Sequence, residues 1–229
     1  MFRRRAIQVQ DVYVPQHKII EVYDKLAPVY DIWGALTETK ARSRALQLAR
    51  VDDGSAILEV AVGTGLTFLE LVKQNPVGTN IGIDISTGML DKAKARLEKV
   101  ENVNYQLETG NAFNLEVESK SVDILMNNYM FDLIAFNEIP VILNEFRRVL
   151  KDDGQLILVN MTQGESIFSR VYELIYRVSP KLMGGCRGIR LTDALIASGF
   201  KVDIREYIQQ MLFPSEVILA RPDTRTHLE

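Results

Sequence analysis

Apolar residues in this chain follow two alternating patterns, short continuous runs and longer stretches with a 3.6-residue period. The runs predict seven strands, and the periodic stretches predict helices that cover both faces of a mostly parallel sheet. The predicted strands are 56–62, 80–85, 103–109, 122–128, 155–161, 201–208 and 211–220. The predicted helices are 66–74, 87–100, 138–150, 165–178 and 191–198.

The last two predicted strands are joined by a short link with no helix between them, which predicts an antiparallel hairpin at the end of the chain. The helix at 138–150 keeps its apolar residues on one face. Asn137 is the expected cap at its start, and Gly154 is expected to lie beyond its end. The pattern therefore predicts one α/β domain with a C-terminal reversed hairpin.

The first predicted strand ends in a glycine turn, Gly63-Thr-Gly65, and an acid, Glu59, stands four residues before it. Ligands of parallel sheets bind outside the carboxyl ends of the strands, where glycine lets the backbone approach them closely. A dinucleotide fingerprint needs a third glycine, but that position holds Phe68 in one register and Leu66 in the other. The turn predicts a nucleoside-containing cofactor, although an isolated Gly-x-Gly is also typical of an ordinary βα turn.

Two further polar residues end the next strands. Asp84 follows the glycine turn by about twenty residues, the spacing expected for an acid that binds ribose, and Ser86 is a good helix N-cap. Asn111 follows the third strand within Gly110-Asn-Ala-Phe113. Each residue alone is explained equally well as a helix cap or a turn residue. Their order at three successive strand ends favours a cofactor site.

Together these segments resemble the motifs of class I S-adenosylmethionine-dependent methyltransferases. Glu59-x-Ala61-x-Gly63-x-Gly65 resembles the first motif, with alanine at the usual first glycine, and Gly82 to Ala93 resembles the second. The resemblance implies a Rossmann-like sheet, S-adenosylmethionine as cofactor and S-adenosylhomocysteine as product. The cofactor contacts that it implies are Glu59, Ala61, Gly63, Thr64, Gly65, Asp84, Ile85, Met89, Asn111, Ala112 and Asn128.

Residues 1–50 precede the first strand and are expected to form a helical cap on the same domain. The segment Leu26-Ala-Pro-Val-Tyr-Asp31 resembles the entry motif of the methyltransferases of ubiquinone and menaquinone biosynthesis, and of bacterial phosphatidylethanolamine N-methyltransferases. In such proteins this region closes over the cofactor, so Tyr23 and Tyr30 are expected to line the cofactor cavity. Half-buried packing is the alternative for both tyrosines.

The methyl acceptor is expected beside the cofactor, near the loop that follows the fourth strand. An oxygen or carbon acceptor must lose a proton, and the nominated bases are Tyr129, Asp132 and His17. The amphipathic stretch 165–178 and the segment up to 190, which includes Arg187, are expected either to pack on the sheet or to form a lid over an apolar acceptor. Cys186 is expected to be structural.

Composition narrows the class of protein. The chain has 229 residues, of which 47% are hydrophobic and 25% charged, typical of one globular domain. The net charge of −3 and a single short basic cluster, Arg3-Arg4-Arg5, argue against nucleic acid and allow at most peripheral membrane contact. One cysteine and no signal-peptide pattern predict a cytoplasmic protein. No Cys/His spacing suits a metal.

The sequence therefore predicts a methyltransferase that acts on a small, apolar molecule, which is quinone-like, phenolic or a lipid amine. The alternatives are a non-catalytic S-adenosylmethionine-binding protein of the same fold and a nicotinamide-dependent oxidoreductase. The methyltransferase domain is expected over 51–222, with 223–229 as a tail that derives partly from an expression vector. A monomer or a homodimer fits the chain equally well.

Overall fold

The sheet has seven strands in the order β3-β2-β1-β4-β5-β7-β6. The computed structural model describes residue 34 and residues 36–162, 187–211 and 213–224. The strands are β1 (Ala56–Val60), β2 (Thr79–Asp84), β3 (Gln106–Thr109), β4 (Val122–Asn128), β5 (Leu150–Met161), β6 (Phe200–Gln210) and β7 (Phe213–Pro222). The first five are parallel to one another, and β7 pairs antiparallel with both β5 and β6.

The strand order changes direction at β1. From β1 the chain first builds outward through β2 to β3, and then returns to the other side of β1 to add β4 and β5. Loops that leave β1 and β4 therefore diverge at their carboxyl ends and open a crevice between them, which is where ligands of such sheets bind.

Helices cover both faces of the sheet. Among the described residues they are α1 (Thr39–Ala49), α2 (Leu66–Gln74), α3 (Thr87–Leu97), α4 (Ile139–Val149) and α5 (Thr192–Ala197), with a 3₁₀ turn at Phe131–Leu133. The helices α1, α2 and α3 pack their buried apolar residues on one face, and α4 and α5 pack theirs on the other. None of the helices in the described ranges is both long and apolar enough to span a bilayer.

The predicted fold class is confirmed, including the parallel strands, the helices on both faces and the C-terminal antiparallel hairpin. Of the predicted N-terminal cap, α1 lies within the described residues. Its buried face, Ala41, Ala45, Leu48 and Ala49, belongs to the same core as α2 and α3. The predicted helix at 165–178 and Cys186 lie outside the described residues.

One prediction around α4 was wrong. Its N-cap residue is Glu138 rather than Asn137, and no side chain caps the helix. Gly154 lies beyond the end of α4, as predicted: α4 ends at Val149, and β5 begins at once and runs through the glycine. A Cβ on Gly154 would lie 3.0 Å from two backbone oxygens, those of Lys151 and Val122, at the irregularity in the β4–β5 pairing. Close backbone approach therefore explains this glycine.

Candidate functional site

The glycine turn after β1 has three residues in the left-handed region of backbone space. Ala61 has φ 58°, Gly63 has φ 56° and Gly65 has φ 76°. A Cβ on Gly63 would meet open space, whereas one on Gly65 would lie 3.0 Å from the Cβ of Ala93 in α3. Gly65 therefore serves the close packing of α2 on α3. Ala61 adopts a conformation that costs an L-residue about 1–2 kcal/mol.

Asp84 ties the turn to the next strand. Its Oδ2 accepts a hydrogen bond from the Gly63 N–H at 2.7 Å, and its Oδ1 accepts one from the Ser86 N–H at 2.9 Å. Ser86 in turn caps α3, because its Oγ accepts from the Met89 N–H at 3.1 Å, as predicted. One buried carboxylate thus fixes both the β1 turn and the start of α3.

A cleft runs on both sides of Ala61, and we divide it into two halves at that residue. The apolar half has a cavity volume of about 90 Å³. Its polar side chains are Asp84 and Asn111. Its other walls come from the ends of β1, β2, β3 and β4, and they are Val60, Ala61, Ile83, Ile85, Gly110, Ala112, Phe113, Met130, Leu133 and Ile134.

The second, charged half has a cavity volume of about 40 Å³. Two ionisable side chains enter it from the α1 region, Glu38 and Arg42, and a third, Glu59, from the end of β1. The remaining wall residues are Ala61, Val62, Gly63, Thr64, Leu66, Thr67, Asn128 and Tyr129. The two halves therefore differ sharply in charge, although they share the Ala61 wall.

Glu59 is the most deeply buried acid of the charged half, with 2% of its surface exposed. Its Oε1 accepts a hydrogen bond from Asn128 Nδ2 at 2.9 Å, whereas its Oε2 and the Asn128 Oδ1 accept none. Burial raises the pKa of Glu59 to about 8, against smaller lowering effects of Asn128 and Arg42. Two unsatisfied buried acceptors beside a cleft are the arrangement expected where a cationic or hydrogen-bond-donating ligand binds.

Glu38 and Arg42 form a loose ion pair in the charged half. Arg42 Nη1 lies 3.4 Å from Glu38 Oε2, and the side chains are only 13% and 5% exposed. Burial raises the pKa of Glu38 to about 7, while the Arg42 guanidinium acts in the opposite direction. The charged half therefore offers two buried acids and one cation, a set that complements a zwitterion.

Most of the predicted cofactor residues meet in this cleft. Glu59, Gly63, Thr64 and Asn128 line the charged half, Asp84, Ile85, Asn111 and Ala112 line the apolar half, and Ala61 lines both. Gly65 and Met89 line neither half. Gly65 packs against α3, and Met89 is a residue of α3 that is buried, with 2% of its surface exposed. The Asn111 Oδ1 accepts from the Phe113 N–H at 3.1 Å and so shapes the turn after β3.

Two of the nominated bases are corrected by the geometry. The Tyr129 hydroxyl is buried and lies 2.8 Å from Ser215 Oγ, and burial raises the pKa of the phenol well above 10, so it is neutral and no base. Asp132 is fully buried, accepts from the Met161 N–H at 3.3 Å and lines neither half of the cleft. Its carboxyl group joins the ends of β4 and β5, and burial raises its pKa.

The third nominated base, His17, lies outside the described residues, as do Tyr23 and Tyr30. Within the described part of the chain, no three His, Cys, Asp or Glu side chains converge on a metal-binding arrangement. Arg187, proposed as a lid residue, is 1% exposed, and its guanidinium carbon lies 3.8 Å from the centre of the Phe136 ring. It is therefore a packed residue rather than a solvated one.

Sequence reasoning missed Glu38 and Arg42, which precede the first motif by about twenty residues and belong to no recognisable pattern. It also missed the apolar walls formed by Ile83, Phe113 and Ile134. The available signal was position: Ile83 and Phe113 lie within two residues of the polar strand ends Asp84 and Asn111, whereas Ile134 lies six residues beyond the end of β4.

Comparisons with known proteins agree on one family. A family described as a methyltransferase domain matches residues 57–154. A ubiquinone/menaquinone biosynthesis C-methyltransferase of Campylobacter jejuni subsp. jejuni is 37% identical over 164 residues, which cover 66% of this chain and 66% of the relative. A demethylmenaquinone methyltransferase of Lactococcus lactis subsp. lactis is 29% identical over 170 residues, which cover 72% of this chain and 67% of the relative.

Solved structures share the fold at lower sequence identity. A [4+2]-cyclase superposes with a TM-score of 0.72 and 15% identity, over 93% of this chain and 98% of the other. A likeness at this identity concerns the fold alone, and the cyclase shows that the same fold hosts different reactions.

Proposed function

The chain belongs to the class I S-adenosylmethionine-dependent methyltransferases, and from this premise we propose that it methylates a small, apolar, quinone-like molecule. The matches to methyltransferases confirm the predicted family and the predicted S-adenosylmethionine cofactor. The acceptor class is taken from the relatives, whose names refer to demethylmenaquinone and to ubiquinone and menaquinone biosynthesis. These relatives match the chain over about two thirds of their own length.

The residues of the cleft fit the cofactor along its length. In the charged half, the Glu59 carboxylate would hold the methionyl ammonium group, and the Arg42 guanidinium would hold the methionyl carboxylate. Asp84 would accept from the ribose hydroxyls, and the apolar half would enclose the adenine ring between Ile85 and Phe113. When bound, the cofactor supplies an activated methyl group on a positively charged sulfur.

The observation that carries the proposal is the unsatisfied Oε2 of Glu59. A buried acceptor without a partner costs about 1–3 kcal/mol, and a charged one costs more. A cationic ligand in the charged half would remove that cost. A dinucleotide would instead bring its pyrophosphate, an anion, toward the turn beside Glu59. The electrostatics of the turn therefore favour a cationic nucleoside over a dinucleotide.

The chain itself would position the methyl donor and the acceptor and exclude water from the site. Direct displacement at a methyl group needs donor and acceptor held in line at attack distance, without competing water. The turn at Gly63, fixed by Asp84, and the acids of the charged half would hold the reacting end of the cofactor beside the carboxyl end of β4.

Calorimetric titration tests the cofactor, and product analysis tests the acceptor. Purified protein is titrated with S-adenosylmethionine, S-adenosylhomocysteine and NAD, and is then incubated with reduced naphthoquinones, reduced benzoquinones, phenols, amines and phospholipids. We expect binding of the first two ligands and methylation of a reduced quinone. Binding of NAD alone would replace the proposal by an oxidoreductase, and binding without any product would replace it by a non-catalytic binding protein.

A cytoplasmic location, peripheral membrane contact and a monomeric or homodimeric state remain proposals. Light scattering of the purified protein measures the oligomeric state. Co-sedimentation with anionic phospholipid vesicles measures membrane contact, and we expect it to be weak and to disappear at high salt.

A further inference from the structure

Glu38 has an unusual orientation for its place in the chain. It is the N-cap residue of α1, where an acid normally accepts from the first free N–H groups of the helix, but its side chain makes no capping hydrogen bond. The carboxylate instead lines the charged half of the cleft, with only 4% of the residue exposed. The fold thus directs a buried acid into the cleft at the expense of a helix cap.

The Glu38 carboxylate is also weakly paired. Within the described residues its one side-chain partner is Arg42, at 3.4 Å, near the limit of a hydrogen bond. A strongly paired buried acid in the same protein looks different: Glu216 accepts from Arg205 Nε at 2.6 Å, from Asn160 Nδ2 at 2.9 Å and from the Leu191 N–H at 3.2 Å. Glu216 is therefore structural, whereas Glu38 retains acceptor capacity.

The position of Glu38 relative to the sheet places it on the acceptor side. The ends of β2 and β3 border the apolar half, so the proposed cofactor extends from there across Ala61 to the charged half. The next strands in that direction are β4 and β5, and the groups there that feel the charge of Glu38 are Tyr129 and Asp132. With the cofactor bound in this way, Glu38 would lie on the β4 side of the cleft, where the acceptor is expected.

We propose that Glu38 is the general base that takes the proton lost by the methyl acceptor. The proposal rests on the proposed function, and it narrows the acceptor to a molecule that must lose a proton, such as a reduced quinone or phenol, rather than a neutral amine.

The step balances in atoms and charge. The acceptor O–H bond breaks, and its proton passes to a Glu38 oxygen. The electron pair of that bond moves through the acceptor and forms the new bond to the methyl carbon, while the carbon–sulfur bond breaks and sulfur keeps its electron pair. When the new bond is to a ring carbon, the hydrogen displaced from that carbon restores the hydroxyl group. The negative carboxylate and the positive sulfonium are both neutral afterwards, and Glu38 returns its proton to solvent.

The electrostatic surroundings of Glu38 support this role. Its pKa of about 7, raised by burial, lies near physiological pH, where a base is most effective. The groups that face it from the described elements are Arg42 on α1, Glu59 on β1, Tyr129 after β4 and Asp132 in the 3₁₀ turn. Of these, Arg42 favours the ionised form of Glu38, whereas burial opposes it.

Substitution Glu38→Gln tests the proposal with a reduced naphthoquinone as acceptor. We expect kcat to fall about 100- to 1,000-fold. The acid limb of the pH profile of kcat should disappear; in the wild type its midpoint should lie below 7, because the bound sulfonium favours the ionised carboxylate. The affinity for S-adenosylmethionine should change by less than about 3-fold. Glu38→Asp, which keeps a carboxylate, should retain the acid limb with an intermediate kcat. Asp152→Asn is the matched control, because that acid pairs with Lys120 at the surface and touches neither half of the cleft.

Two further readouts separate base chemistry from structure. An acidic phenol that is already ionised at the assay pH should restore most of the kcat of Glu38→Gln. Calorimetry in two buffers of different ionisation enthalpy should show proton release when S-adenosylmethionine binds to the wild type near pH 6.5. Glu38→Gln should release a smaller amount, and this readout needs no acceptor.

Three results would overturn the assignment. The first is an active wild type whose Glu38→Gln variant keeps its kcat and its acid limb, which rejects the base and leaves the proposed function intact. The second is a parallel loss of kcat and cofactor affinity without rescue by the acidic phenol, which makes Glu38 a cofactor ligand only. The third is a wild type that methylates none of the acceptors, in which case the proposed function fails and the base assignment fails with it.

Discussion

The two halves of the cleft share the carboxyl ends of β1 and β4 but are built by opposite means. The apolar half is enclosed by side chains such as Ile83, Phe113 and Ile134, and its affinity for a ligand must come mainly from buried area. The charged half has Glu38, Arg42 and Glu59 in its walls, and its affinity must come from charge complementarity. Binding to the first should hardly respond to pH or salt, whereas binding to the second should respond to both.

The largest expected effect comes from Asp84, which lies in the apolar half but carries charge. Asp84→Ala removes the acceptor for two ribose hydroxyls and releases the Gly63 N–H, so cofactor binding should weaken by about 3–6 kcal/mol, since hydrogen bonds to charged groups contribute about 1.5–3 kcal/mol each. Calorimetry measures the loss. Asp91→Asn, an exposed acid on α3, is the control and should leave the affinity unchanged. Unchanged binding in Asp84→Ala would remove the ribose assignment.

Glu59→Gln isolates the charge of the other half. The folded-state pKa of Glu59 is about 8, above the unfolded value of 4.5, so the folded protein binds the extra proton between these values and loses stability as pH rises through that window. The variant mimics the protonated form. Between pH 5 and pH 8 the free energy of unfolding of the wild type should therefore fall by roughly 3 kcal/mol more than that of the variant. Urea unfolding midpoints across this range measure the difference. Parallel pH profiles of the two proteins would show that Glu59 is ionised in the free protein.

Phe113→Ala tests the apolar half alone. Loss of part of the adenine enclosure should weaken cofactor binding by about 1–2 kcal/mol, the scale of one partly buried aromatic wall. The loss should be the same at pH 6.5 and pH 8.5 and at low and high salt. Val141→Ala, an exposed apolar truncation on α4, serves as the control. A salt-dependent loss of affinity in Phe113→Ala would contradict the assignment of binding to apolar contacts in this half and to charge in the other half.

Ala61→Gly has the smallest expected effect and concerns the wall that both halves share. Glycine relieves the left-handed strain at φ 58° but adds chain entropy to the unfolded state, so the gain in stability should be below about 1 kcal/mol. Thermal unfolding measures it. Arg50→Gly provides a matched comparison, since Arg50 is a left-handed residue at the C-cap of α1 and lines neither half. A loss of stability at position 61 alone would show that the alanine methyl group packs favourably.

The sequence predicted the polar residues at the strand ends of both halves but missed those that come from α1, for a physical reason. Asp84, Ile85 and Asn111 follow strands, and strand ends are readable because continuous apolar runs mark the strands. Such a run predicted β4 with the observed bounds, and a stretch with a 3.6-residue period predicted α2 with the observed bounds. Glu38 and Arg42 reach the cleft from α1, a separate element, and only the tertiary packing of α1 on the sheet brings them there.

Two of the nominated bases, Tyr129 and Asp132, are disfavoured for a related reason. Tyr129 and Asp132 were chosen because they follow β4, and the chain position is right, but sequence does not reveal burial. Tyr129 pairs with Ser215 of β7, a residue 86 positions away, and Asp132 bonds to Met161 of β5. Both contacts are long-range, so the polar groups of this loop were predictable while their partners were not.

The Ala61 wall, which separates the two halves, also affects how fragments of the cofactor bind. Adenosine and methionine should each occupy their own half of the cleft, and each should bind weakly when offered separately. A covalent link between them turns the second contact into an intramolecular event, with an effective concentration in the millimolar range. Cleavage of that link would therefore cost this protein far more affinity than the loss of any single side chain.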